Sequence, residues 1–148
     1  MAFDVARPRP SEWRAPSPVR PTQVRADTAG MVPGMTLELF AGLRVRDLAA
    51  ARPWYEQLLG EPAFFPNDAE VVWTLADARH LYIEQDPARA GNGLATVFVG
   101  DLDAQLATIA ARGLEPSGQE TYANGVRKAT FRDADGNELG FAGGPREP

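Results

Sequence analysis

The chain contains an internal repeat, which constrains its fold more than any other feature of the sequence. Residues 43–61 (LRVRDLAAARPWYEQLLGE) align with residues 97–115 (VFVGDLDAQLATIAARGLE). A second pair, residues 76–83 (ADARHLYI) and 134–141 (ADGNELGF), follows at a similar distance in each copy. Two copies of one unit therefore build the chain, and equivalent positions of the copies are expected to share one central site.

The composition is typical of a globular protein with one packed core. The chain has 148 residues, of which 44% are hydrophobic and 9% aromatic. The sequence has no apolar run of transmembrane length and no signal-like apolar segment at its start, so we expect a cytoplasmic protein. It has no cysteine, which excludes disulfides, thiol catalysis and thiolate metal sites.

The charge is uneven along the chain. The formal net charge is −5, yet the first 35 residues hold five arginines against three acidic residues, so the rest is more acidic than the whole. Nucleic-acid grooves need clustered cations, whereas Lys128 is the only lysine, so we expect no nucleic-acid partner and no membrane partner. An acidic surface suits a cationic small molecule and also serves solubility.

The order of predicted elements is the same in both copies. Residues 1–35 are rich in proline and arginine and are predicted to be an extended or disordered tail. In the domain that follows, residues 36–148, the modules span about 36–90 and 91–142. The first module reads as a strand, a helix capped by Asp47 and stopped by Gly60, and strands near 62–65, 70–76 and 79–86, with Pro53 expected to disturb the helix.

The second module repeats this plan. Its elements are a strand at 93–99, a helix capped by Asp101 or Asp103 and stopped by Gly113, and strands near 114–120, 125–132 and 137–142. The predicted fold class is α+β, with two βαβββ modules forming a curved mixed or antiparallel sheet around a central cavity. Because each module leaves one sheet face uncovered, we expect the two to pair edge to edge, and the chain to form a homodimer through exposed strand edges.

Several motifs in order carry a resemblance to a known superfamily. They are the LxVxDL step at Leu43, Val45, Asp47 and Leu48, the WYEQLLG helix end, and the DADGNELGF turn and strand. Over residues 36–142 the chain resembles the vicinal oxygen chelate superfamily, which includes glyoxalase I, extradiol dioxygenases, fosfomycin-modifying enzymes and bleomycin-resistance proteins. This resemblance implies the fold, while function differs widely among proteins that share it.

The resemblance also shows where metal ligands would lie. Enzymes of this superfamily hold a divalent metal with His, Gln or Glu, and the matching positions here are Phe40 and Tyr82 in the first copy and Leu94 and Gly140 in the second. None of these side chains supplies the usual nitrogen or carboxylate donor. We therefore predict no metal, no cofactor and no catalytic residue of the usual kind.

The residues that replace the ligands predict an apolar, partly aromatic pocket. Trp73 is counted among the pocket residues although the sequence does not show which face of its strand it occupies. Phe64 or Phe65 can join the same pocket. The candidate ligand-binding residues are Phe40, Gly42, Trp73, Tyr82, Leu94, Thr96, Phe98 and Gly140. Candidate polar residues of the cavity are Glu38, His80, Glu84 and Glu138.

Three functions stay open at this point. The leading hypothesis is a metal-independent binding protein, similar to bleomycin-resistance proteins, for a small aromatic or amphipathic molecule, including a cationic one. The second is a lyase, isomerase or dioxygenase with a non-standard metal site, for which His80, Glu84 and Glu138 are candidates, or with Glu38, His80 or Glu84 as a base. The third is an accessory domain that only dimerises.

Overall fold

Each copy of the repeat folds as the predicted sequence of strand, helix and three strands. The computed structural model describes residues 32–146, so the predicted tail lies outside the described residues except for its last four. The first module consists of β1 (Leu39–Val45), α1 (Leu48–Leu59), β2 (Phe64–Asn67), β3 (Glu70–Ala76) and β4 (Arg79–Gln85). The second consists of β5 (Leu94–Phe98), α2 (Leu102–Ala111), β6 (Gly118–Thr121), β7 (Arg127–Arg132) and β8 (Glu138–Gly143).

Both helices begin at an aspartate whose side chain caps the first turn. Asp47 Oδ1 accepts a hydrogen bond from the Ala50 amide at 3.1 Å. Asp101 Oδ1 accepts one from the Ala104 amide at 2.9 Å, so Asp101 rather than Asp103 is the cap of α2. The first helix ends at Gly60, whose φ of 85° suits a residue without a side chain.

Two features of the first module differ from expectation. Pro53 lies inside α1, yet the helix is continuous over Leu48–Leu59. The strand β2 begins two residues later than predicted and includes Pro66 and Asn67, which were expected in the turn. An edge strand tolerates a proline, and the turn follows because Asn67 Oδ1 accepts a hydrogen bond from the Ala69 amide at 2.8 Å.

The strands form two four-stranded mixed sheets. Their orders are β1-β4-β3-β2 and β5-β8-β7-β6, and β1 is parallel to β4 as β5 is to β8. Within residues 32–146 no strand of one sheet pairs with a strand of the other, so the edge-to-edge pairing expected inside the chain is not formed there. No helix in that range is long and apolar enough to cross a membrane.

One hydrophobic core contains side chains of both sheets and both helices. We call the sheet face that contributes to this core the inner face of each sheet. The core residues include Leu43, Val45, Tyr55, Leu58, Trp73, Ile83, Ile109, Phe131 and Phe141. The opposite face of each sheet, here called the outer face, carries the exposed side chains of Phe40 and Phe64 in the first sheet and of Leu94 and Phe98 in the second.

A buried polar cluster joins the two modules. Asp133 and Asn137 are 7% and 1% exposed, and the Asn137 side chain donates to Asp133 Oδ2 at 2.8 Å and to the carbonyl of Arg44 in β1 at 2.7 Å. Tyr55 of α1 donates its hydroxyl to the same Asp133 oxygen at 2.7 Å. The amide of Gly93 donates to Asn137 Oδ1 at 2.9 Å. The turn after β7 thus fixes the position of the first module.

Replacing Tyr55 by phenylalanine tests this joint. We expect Tyr55→Phe to lower the free energy of unfolding at pH 8 by about 1–2 kcal/mol, because a buried hydrogen bond to Asp133 is lost. Denaturant titration measures the change, and Tyr82→Phe, on the outer face, serves as the control. An unchanged free energy of unfolding in Tyr55→Phe would show that this hydrogen bond does not hold the modules together.

The effect of Tyr55→Phe on the free energy of unfolding should depend on pH. Burial, and then the hydrogen bond to Asp133, raise the pKa of Tyr55 well above its ordinary value of about 10. The folded protein therefore keeps a proton that the unfolded chain releases, so this contribution to stability is complete below about pH 10 and is lost as the pH rises further. The difference between wild type and Tyr55→Phe should accordingly shrink above pH 10.

Candidate functional site

The outer face of the first sheet brings together several of the predicted site residues. Phe40 and Gly42 of β1 lie opposite His80 and Tyr82 of β4 in the parallel register. Thr74 of β3 lies opposite His80 on the other side. Because side chains alternate between the two faces of a strand, these residues share the face turned away from the helices.

His80 is the centre of a hydrogen-bonded chain on this face. Its imidazole is 8% exposed, with Nδ1 2.9 Å from Thr74 Oγ1 and Nε2 2.5 Å from Glu38 Oε1. A neutral ring that accepts from the threonine hydroxyl and donates Nε2–H to the carboxylate satisfies both contacts. The Glu38 side chain is 58% exposed, so its second oxygen faces solvent. The arrangement fixes an accessible carboxylate beside an aromatic surface.

Two phenylalanine rings flank the imidazole. The Phe40 ring stacks on His80 with the ring centroids 4.4 Å apart and the planes inclined by 22°. The Phe64 ring meets His80 edge-on, with centroids 6.4 Å apart. These two rings are 46% and 42% exposed. The neighbouring Phe65 instead lies beneath the guanidinium of Arg52, 4.7 Å from it, so Phe64 is the one that joins the site.

Tyr82 depends on the glycine beside it. A Cβ placed on Gly42 would lie 2.4 Å from Cζ and 2.6 Å from the hydroxyl oxygen of Tyr82. The end of the ring therefore lies over Gly42, and a side chain at that position would displace it. Glycine is favoured here by this close approach and not by its backbone angles.

The outer face of the second sheet carries the equivalent residues of the second copy. Thr96 of β5 and Thr130 of β7 lie on either side of Gly140 in β8. Leu94 and Phe98 on β5 are 60% and 37% exposed. An open depression of about 490 Å³ adjoins this face and is lined by Asn92, Gly93, Leu94, Arg132, Gly136 and Glu138.

Trp73 lies on the inner face and does not join these residues. It is 1% exposed, packs near Tyr55 with ring centroids 5.9 Å apart, and donates Nε1–H to the carbonyl of Gly60 at 2.9 Å. The register with Leu81 fixes this orientation. Trp73 was predicted to line the pocket, although the sequence did not indicate which face of its strand it occupies. The structure places it in the core.

The other candidate polar residues are held in ion pairs. Glu84 lies 3.7 Å from Arg44, and Glu138 pairs with Arg132. His80 has Glu38 as its acidic neighbour. Among residues 32–146 no group of three His, Asp or Glu side chains is placed to hold one metal ion. The set of His80, Glu84 and Glu138 therefore does not form a metal site there.

The sequence analysis did not include Thr74, whose hydroxyl forms the second hydrogen bond of the His80 ring. The turn at residues 77–78 does not reveal this pairing, because it sets Ala76 opposite Arg79 and simple counting would then set Leu75 opposite His80. A one-residue irregularity between Thr74 and Ala76 shifts the register, so simple alternation counted from the turn gives the wrong face.

Comparison with known proteins identifies the class to which this fold belongs. Residues 37–141 match the Glyoxalase/Bleomycin resistance protein/Dioxygenase superfamily, and the chain belongs to it. This confirms the resemblance seen in the sequence. No curated protein sequence is significantly similar to the chain.

Several solved structures are similar to the chain. A glyoxalase/bleomycin resistance protein from Catenulispora acidiphila DSM 44928 is 50% identical, with a TM-score of 0.71 over 74% of this chain and 100% of that chain. A bleomycin-binding protein in complex with bleomycin is 20% identical, with a TM-score of 0.59 over 76% of this chain and 100% of that one. Lactoylglutathione lyase from Agrobacterium tumefaciens is 18% identical, with a TM-score of 0.58 over 76% and 95%. The last two show the fold alone.

The metal that some enzymes of this superfamily use does not fit the donors found here. At the four matching positions the side chains are Phe40, Tyr82, Leu94 and Gly140, which together offer one phenol oxygen. Phe40 is moreover stacked on His80, whose two ring nitrogens already have partners. These four positions therefore do not supply the ligands of a catalytic metal.

Metal analysis of protein purified without chelator tests this conclusion. We expect less than ~0.1 equivalent of Fe, Mn, Ni or Zn per chain, because the donor set lacks the imidazole and carboxylate ligands these ions prefer. Stoichiometric metal that is lost in His80→Ala but retained in Glu84→Gln would contradict this conclusion. It would place a metal among the hydrogen-bonded residues around His80.

Proposed function

We propose that this protein binds a small aromatic or amphipathic molecule, without a metal, on the outer face of the first sheet. The observation that carries the proposal is the exposed Phe40 ring stacked on the buried, fully hydrogen-bonded His80. Phe64 adds a second exposed ring at right angles to this stack. Rings held in fixed orientations favour a planar apolar guest, because stacking then costs little side-chain entropy.

The charge at this site favours a positive group on the guest. Glu38 presents a carboxylate that His80 holds beside the Phe40 ring. A cation placed there can contact both the carboxylate and the ring face. The structure of a bleomycin-binding protein in complex with bleomycin has this fold. Bleomycin is therefore one molecule to test, together with simpler aromatic amines.

A second copy of the chain is proposed to cover the outer faces. Within residues 32–146 the edge strands β1 and β5 each pair on one side only. They expose Leu39 by 64%, Phe40 by 46% and Leu94 by 60%. Apolar side chains along unpaired edges favour association between chains, and a homodimer is the simplest closed arrangement. The guest would then lie between outer faces of the two copies.

A fluorescent probe tests ligand binding. N-phenyl-1-naphthylamine is an uncharged aromatic amine whose emission rises in apolar surroundings, and we expect it to bind the wild-type protein. Phe40→Ala should weaken its affinity roughly tenfold, because the stacking surface is lost. The matched control is Phe65→Ala, which removes an equally exposed ring on the other side of β2. Equal losses in both variants, or no binding by wild type, would count against the proposal.

Sedimentation equilibrium tests the dimer. We expect a homodimer, and Leu39→Asp on the exposed edge of β1 should shift it towards monomer, because a carboxylate would be buried at the contact. Ala107→Asp, on the exposed side of α2, adds the same charge elsewhere and should leave the mass unchanged. A wild-type protein that sediments as a monomer at all concentrations would rule out this arrangement.

A second candidate function uses the same residues as an acid–base pair. Glu38 has one free carboxylate oxygen and a hydrogen-bonded imidazole behind it, which is an arrangement that can accept a proton from a bound molecule. A protein that uses this pair for proton transfer would be a metal-independent lyase or isomerase. A binding protein releases its ligand unchanged, whereas such an enzyme releases an altered molecule, and mass spectrometry and NMR of the recovered ligand separate the two.

A further inference from the structure

The only lysine of the chain lies in the middle of the second sheet. Lys128 belongs to β7, where its neighbour Ala129 and the next odd-numbered residue, Phe131, are buried in the core. Alternation along the strand therefore places Lys128 on the outer face, with Thr130 beside it. The lysine is half-buried there. Lys128 and Thr130 lie on the second sheet and are not part of the site proposed on the first sheet.

Gly140 makes room for the lysine side chain. A Cβ placed on Gly140 would lie 2.5 Å from Lys128 Cε and 3.5 Å from its Nζ. Thr96 Oγ1 lies 3.4 Å from the same point. An ammonium and a hydroxyl thus converge above a residue without a side chain. Both groups can donate hydrogen bonds to one oxyanion.

In the part of the chain that the structure describes, the lysine ammonium lacks the anionic partner that its neighbours have. Arg127 pairs with Asp103, whose pKa it holds below the ordinary value by hydrogen bonding, and Arg132 pairs with Glu138. Within residues 32–146 no hydrogen bond or ion pair joins Lys128 Nζ to another group. A half-buried charge without a partner is costly, and an incoming anion would compensate it.

The acidic residue opposite Lys128 does not fill this role. Glu120 of β6 faces Lys128 across the antiparallel pair, but the two form no ion pair. Glu120 instead accepts a hydrogen bond from Tyr122, and burial and this contact raise the pKa of that phenol. The carboxylate therefore stays close to its own strand.

We propose that Lys128 and Thr96 form an oxyanion subsite above Gly140, which binds the carboxylate, sulfonate or phosphate group of an otherwise apolar ligand. The apolar part of that ligand lies against Leu94 and Phe98 on the adjacent strand, which are exposed on the same face. The inference goes beyond the proposed function, because it assigns an anion-binding group to the second sheet, whereas the site proposed on the first sheet favours a positive group.

A pair of probes that differ by one charged group tests the subsite. 8-Anilinonaphthalene-1-sulfonate and N-phenyl-1-naphthylamine share the same ring system, and only the first carries an anion. We expect Lys128→Met to weaken the sulfonate probe about tenfold, as loss of a charge-assisted hydrogen bond does, and to leave the neutral probe within about twofold. Lys128→Arg should keep most of the affinity for the sulfonate.

Two further variants make the test specific. Gly140→Ala should weaken the sulfonate probe, because the added Cβ displaces the lysine side chain, and should spare the neutral probe. Arg89→Met removes a cation that is 69% exposed on the first module and should change neither probe.

The outcomes separate the two proposals. Equal effects of Lys128→Met on both probes, or no effect on the sulfonate, would overturn the subsite and leave the binding function standing. Lys128-dependent binding of the sulfonate without binding of the neutral probe would support the subsite and count against the aromatic site. Failure of wild type to bind either probe would overturn both.

Discussion

The buried cluster around Asp133 and Asn137 is the interaction on which the rest of the structure depends. It joins the last turn of the second module to β1 and α1 of the first through hydrogen bonds to Arg44 and Tyr55. Every polar atom removed from water here needs its partner, so the cluster tolerates one relative placement of the modules. That placement brings residues of both modules into one hydrophobic core, while Phe40, Phe64, Leu94 and Phe98 on the outer faces stay exposed.

The sequence predicted the scaffold well because the scaffold is repeated. Two helices with aspartate caps, the strand at 70–76 and the order of all ten elements follow from patterns that occur twice. The prediction of which face a residue occupies was least accurate where the alternation of buried and exposed residues is interrupted. The irregularity after Thr74 and the burial of both Val72 and Trp73 remove the alternation that would have assigned Trp73 to the core.

The two copies share a framework, yet their outer faces carry different chemistry. Tyr82 and Gly140 are equivalent positions, as are His80 and Glu138. The first sheet presents aromatic rings and the carboxylate of Glu38, whereas the second presents threonine hydroxyls and the chain's one lysine. Spacing alone could identify these positions, but the partners of each side chain depend on neighbouring strands that are distant in sequence.

The contact between Tyr82 and Gly42 shows how such a face can change while the core stays the same. The tyrosine ring lies low on the sheet only because the adjacent strand has no side chain beneath it. One methyl group at residue 42 would displace that ring, without touching Leu43 or Val45 on the opposite side. The position of the tyrosine ring above the strands is thus set by a missing atom, so a small change at residue 42 can reshape the outer face while the core keeps its packing.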